Sequence, residues 1–172
     1  YLTTISRPPY IYKISGREIL DFIEKDSKKS NTSNPQVLSL FYYRPLDEPL
    51  MTYNLYNMER PFQINNFVGT VLADPDQGSR YVLNVVQNSD YILIKSGKRT
   101  DDYFSKENYK TLKALIALFD NNSYILDYYG PETKIWINQD SSIVTIFKKK
   151  NKIPDSELQE LELKLADLLK LN

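Results

Sequence analysis

Three groups of residues in this chain have types and spacings that could do chemistry. Glu18, Asp21 and Glu24 recur every third position, "DPDQG" places Asp74 and Asp76 beside Gly78, and Lys148 to Lys152 is a nearly unbroken basic run. Paired carboxylates can hydrolyse a glycosidic bond if a second acid flanks it at a defined distance. Aspartates near a glycine occur in calcium loops, and clustered lysines attract phosphate or lipid headgroups. Each group also has a plainer reading. The three carboxylates lie on one side of a helix with Arg17, Lys25 and Lys28 in pairing range, as on a solvated helix, and no second acid is identifiable. "DPDQG" is too short for a calcium loop and carries Pro75 among the would-be ligands, so a hairpin turn is expected. The lysines are followed by Asp155, Glu157, Glu160 and Glu162, the composition of a solvated loop. "LIKSGKRT" lacks the first glycine and the spacing of a phosphate loop.

What is missing narrows the chemistry further. The chain has no cysteine and no histidine. Thiol nucleophiles, zinc sites built on either residue, catalytic triads and histidine acid–base steps are therefore excluded. The five glycines are never closer than nine positions, so no glycine-rich nucleotide loop can be assembled. No catalytic residue, metal or cofactor is assigned, and the reading is of a protein that is not an enzyme. Without disulfides, the apolar core must carry stability unaided.

Aromatic residues are the remaining candidates. "FYYRPLDEPLMTYNLYNMERPF" (Phe41 to Phe62) packs six rings into 22 residues, and the whole chain has 14 tyrosines against one tryptophan. Rings favour the pleated, half-buried surface of a sheet, and packing is the first expectation for them. Fourteen tyrosines cannot all be inside, and tyrosine-rich surfaces make good recognition faces. In "TKIWIN" the isoleucines should point inward, leaving Lys134, Trp136 and Asn138 on the other face. The first expectation is that the second or the last helix covers that face, and an exposed indole there would instead be a binding anchor. Tyr43, Tyr56, Tyr129 and Trp136 are accordingly the candidate binding residues.

The elements that must position these groups follow from periodicity. "PPYIYKIS" alternates like a short strand, and Ser15 with Glu18 has capping-box spacing for a helix to about Lys28 with Ile19, Leu20, Phe22 and Ile23 inward. A polar loop leads to a β region with strands at Val37–Tyr43, Met51–Leu55, Phe62–Leu72, Tyr81–Val86 and Tyr91–Lys95. A second helix runs from about Ser105 to Phe119. "YILDYY", "TKIWIN" and "SSIVTIF" then form an antiparallel meander, turning at Gly130–Pro131 and Gln139–Asp140. The last helix, after Pro154, carries Leu158, Leu161, Leu165 and Leu168 as one stripe. The expected fold is α+β, with about eight to nine strands in predominantly antiparallel sheets packed by three helices. It forms a single domain over 1–172, and any subdivision falls near 96–104.

Charge bounds the partners. The 22 basic and 22 acidic residues cancel, with a pI near 6.6, which argues against a nucleic-acid partner. The uncharged segment Pro61–Ala73 is too short to cross a bilayer and contains asparagines. The chain starts at Tyr1 rather than Met, so a membrane is expected only through an upstream anchor, and a trimmed cytosolic chain would look the same. The favoured reading is a non-catalytic interaction or assembly module that binds another protein chain, as homo- or hetero-oligomer. An extracytoplasmic domain of a membrane-anchored protein is one setting for it. Three alternatives stand beside it: a nucleic-acid-binding accessory using surface tyrosines and the lysine clusters, a small-ligand sensor with a pocket between sheet and helices, and a hydrolase relying on Asp, Glu, Tyr and Lys, which has no motif behind it.

Overall fold

The computed structural model describes residues 13–41, 63–66, 78–96, 106–119, 125–137 and 142–171. In chain order they form α1 (Lys13–Lys29), β1 (Gln36–Ser39), β2 (Gln63–Asn66), α2 (Gly78–Asn88), β3 (Tyr91–Ser96), α3 (Lys106–Leu118), α4 (Ile125–Tyr128), β4 (Tyr129–Ile137), β5 (Ser142–Lys149) and α5 (Asp155–Leu171). The class is α+β. The strands make one mixed sheet in the order β2-β1-β3-β5-β4. β1 runs parallel to both β2 and β3, while β5 is antiparallel to β3 and β4.

This corrects the expected eight to nine strands, their predominantly antiparallel pairing and the three helices: the described residues hold five strands and five helices. Two apolar runs account for most of the difference. Tyr81–Val86 is not a strand but the body of α2. Val82, Leu83 and Val86 are buried while Arg80, Asn84 and Asn88 are exposed, a four-residue recurrence that fits a helix and not a pleat. As a helix, α2 becomes the crossover that returns the chain for β3 to run parallel to β1, where a hairpin would have forced antiparallel pairing. Within "YILDYY" the residues Ile125–Tyr128 likewise form the helical turn α4, and the chain enters β4 only at Tyr129.

The expected turn at Gly130–Pro131 lies inside β4 instead. β4 is an edge strand, where a missing proline amide costs no ladder bond. The register slips between Pro131 and Thr133, a bulge that leaves Glu132 as the extra residue. The expected strand Tyr10–Ile14 ends in residues that are already helical, and Met51–Leu55, "DPDQ" and Gln139–Asp140 lie outside the described residues.

Both faces of the sheet are covered. Ile19, Leu20 and Ile23 of α1 pack on Val37, Tyr91, Leu93, Val144 and Ile146. On the opposite face α2, α3 and α5 enclose Leu38, Ile92, Ile94 and Phe147, with Phe119 set edge-on to Tyr129 at 5.9 Å. Central β3 is accordingly apolar from Tyr91 to Ile94, the run expected of a strand buried on both sides. α5 docks through Leu158, Leu161 and Leu165, all buried, against α2 and α3 within the core on this face of the sheet.

Candidate functional site

The basic run ends β5 beside the C-terminus of α1, and the local sequence explains the meeting. α1 stops in a Schellman turn: Thr32 N–H donates to Ser27 O at 2.9 Å and Asn31 N–H to Lys28 O at 3.3 Å. Asn31 occupies the left-handed region (φ 55°) that this turn requires, and asparagine tolerates it better than most residues. The chain then enters β1 under a two-way clamp. Gln36 N–H donates to Asp90 Oδ2 at 2.8 Å, and Asp90 N–H donates to Gln36 O at 2.8 Å. Between the turn, Asp90–Tyr91 and Lys148–Lys152 lies a cleft of about 240 Å³.

One carboxylate organises the cleft's inner wall. Asp26 Oδ2 accepts from Tyr91 Oη at 2.7 Å and pairs with Lys148 Nζ at 2.7 Å, while Lys148 also donates to Ser30 Oγ at 2.6 Å. Burial alone would raise the Asp26 pKa, but the hydrogen bonds from Lys148 and Tyr91 and the charge of Lys148 outweigh it and hold it low. Burial, then the bond to Asp26 and its charge, push the Tyr91 phenol well up. A general acid or base works best when it titrates near the operating pH. Asp26 stays ionised and Tyr91 protonated across the neutral range, so the pair ties α1 to the sheet and is poorly suited to move protons. No feature of the sequence brings these two residues together across 65 positions.

The candidate binding residues separate. Tyr43 and Tyr56 lie outside the described residues. Tyr129 is fully buried, which removes it from any surface. Its hydroxyl donates to Val86 O and Ser89 O at the C-terminal end of α2. That end also receives Ser89 Oγ at Val85 O (2.8 Å) and Lys149 Nζ at Gln87 O, so side chains satisfy carbonyls that the helix cannot. Tyr129→Phe should therefore cost roughly 1–2 kcal/mol in chemical denaturation, by taking the phenol's donor from the two carbonyls and stranding Ser89 O, while Val86 O keeps the Ser89 N–H at 3.0 Å. A loss within error would mean that water reaches them.

Trp136 stands on the surface, 54% exposed. From Lys134 to Trp136 the alternation expected for "TKIWIN" holds: Ile135 packs toward α1, and Lys134 and Trp136 are exposed, while Asn138 lies outside the described residues. Across the ladder Trp136 faces Ile143, near the end of the β4–β5 hairpin remote from the cleft. Pro131, the bulge and Lys134 are devices that discourage indiscriminate strand addition to a sheet edge. They guard β4 up to the residue before Ile135 and leave the indole uncovered. The carboxylate series on α1 is solvated as expected, with Glu18 and Asp21 exposed and Glu24 bound to Lys28 at 2.7 Å. Among the described residues no cluster of carboxylates could hold a metal ion, and no helix is long and apolar enough to cross a membrane. No protein-family model matches the chain, and comparison with curated proteins and with solved structures finds no match.

Proposed function

We propose that this chain is a non-catalytic contact module that binds another protein chain, with Trp136 as the anchor of the contact. The observation that carries the reading is an indole 54% exposed at a sheet edge otherwise protected against pairing. Tryptophan is among the residues most enriched at the energetic centres of interfaces. A chemical role has less support. The cleft's Asp26 and Tyr91 are held away from neutral titration, and the sequence has no histidine or cysteine. A module of this kind fits an extracytoplasmic domain of a membrane-anchored protein, where assembly partners meet its surface. The balanced net charge would not oppose self-association, so a second copy is one partner to look for.

Photocross-linking tests the contact directly. A benzoylphenylalanine replacing Trp136 in the producing cells should give one discrete adduct, whose mass tells a second copy from another protein. The same group at Lys110, exposed on α3, should give none. Trp136→Ala should shift stability by about 1 kcal/mol or less, as surface changes do, so loss of the contact would not be unfolding. No adduct at position 136, or identical adducts from both positions, rules the anchor out.

A further inference from the structure

We propose that the cleft at the end of β5 binds a phosphate group, with Lys150, Lys152, Thr32 and Asn151 as its donors. The site is independent of Trp136: the two lie at opposite ends of the β4–β5 hairpin, about 20 Å apart at the rise of an extended strand.

Charge accounting selects these donors. Four lysines line the cleft, and the described carboxylates near it are Asp90 on its wall, Asp26 behind it and the exposed Glu132, whose charge also reaches Tyr91. Asp26 is engaged by Lys148 and Tyr91, and Asp90 by the Gln36 amide, so even with Glu132 counted the four lysines leave a positive excess. Lys148 and Lys149 are engaged as well, the first with Asp26 and Ser30, the second with the Gln87 carbonyl. Ser30 Oγ, which accepts from Lys148, gives its own proton to Asp26 O at 3.0 Å. Lys150 and Lys152 are exposed and bound by none of these acids, and they supply the positive excess. Thr32 and Asn151 add a hydroxyl and an amide on the same cleft.

Position and size agree with that choice. The Lys150 side chain lies across Gly130, where any Cβ would collide with its Cε, so the absence of a side chain lets the lysine run along the strand. The mouth is built on a closed turn and a strand end, with the Lys150 amide bonded to Tyr128 O at 2.7 Å. A cavity of about 240 Å³ is smaller than the roughly 300–1,000 Å³ that enclose a drug-sized ligand. It suits a single phosphate headgroup whose remaining part stays outside. Such a group is carried by soluble phosphate esters and by anionic lipids alike.

Titration of the whole chain with inorganic phosphate and glycerol phosphate, followed by the amide resonances of Thr32 and Asn151, should give saturable shifts. Lys150→Gln with Lys152→Gln should weaken binding by about tenfold or more, the loss expected on removing charged hydrogen-bond donors. Lys25→Gln with Lys110→Gln removes the same charge elsewhere on the surface and should leave the affinity unchanged. Sedimentation with phosphatidylcholine vesicles, with and without phosphatidylglycerol, separates the sources. Saturation with vesicle binding points to a lipid headgroup, and saturation without it to a soluble ester. Non-saturating shifts, or equal losses in the two double variants, overturn the proposal.

Discussion

Leu161→Asp should lower the stability of the isolated chain by on the order of 4–5 kcal/mol, measured by chemical denaturation. Leu161 is 1% exposed between α5 and its neighbours α2 and α3. Removing a buried leucine costs about 2–5 kcal/mol through lost transfer energy and the cavity left behind. Adding an unpaired carboxylate there costs more again, or forces it to take up a proton. Against a total of about 5–15 kcal/mol for a domain, the variant should be close to unfolded at physiological temperature. Leu163→Asp, two positions along the same helix, is the internal control. Leu163 is 69% exposed, and its replacement should change stability by about 0.5 kcal/mol or less. If Leu161→Asp melts like the wild type while assembly changes, the stripe faces a partner and not the core.

That helix was legible in the sequence because its signal is long. Seventeen residues with leucines at three- and four-residue steps admit one secondary structure, and α1 and α3 are legible for the same reason. Short apolar runs lack that advantage. Tyr81–Val86 holds two adjacent valines, which favour strands, and within six residues the pattern suits a pleat as well as a helix. Only the wider spacing of Arg80, Asn84 and Asn88 distinguishes the two. The strand expected there also bears on the topology, since a helix between β2 and β3 is compatible with the parallel pairing of β1 with β3, while β5 pairs antiparallel with β3 and β4 as expected. Strand direction is thus decided by the connection and not by the strands themselves.

The candidate site was legible only where it rests on local alternation. Trp136 could be placed on the face opposite Ile135 by alternation alone, but whether a helix covers that face depends on the tertiary fold, which leaves the indole exposed. Tyr129 shows the limit of the same logic. Its hydroxyl meets the carbonyls of Val86 and Ser89, which lie more than one element away, so no alternation within β4 reveals its place. Lys148 belonged to a visible basic run, but its partner Asp26 sits on the half-polar flank of α1 like any solvated acid. A cluster assembled from a helix end and two strand ends leaves no periodic trace.

That cluster gives the second large effect. Asp26→Ala should cost roughly 2–3 kcal/mol, since it leaves the Tyr91 hydroxyl buried without its acceptor and Lys148 without its counter-charge. The partners' side chains are 18% and 26% exposed, so salt should screen the pair only weakly. The pH dependence identifies the cause. Asp26 has a folded pKa below its ordinary value of 3.8, so its contribution is present above that value and is lost as pH falls through the lower, folded one. Tyr91 is displaced upward from 10.0, so its contribution is present below pH 10 and is lost as pH rises beyond it. Asp26→Asn, which keeps the shape and an acceptor for Tyr91, should remove this group's share of the acid limb. It should soften the alkaline limb without abolishing it, because burial, the largest cause of the Tyr91 shift, remains. Denaturation curves of wild type and variant across both limbs decide the matter. Parallel acid limbs would mean that the Asp26–Lys148 pair forms no more favourably in the folded protein than in the unfolded chain.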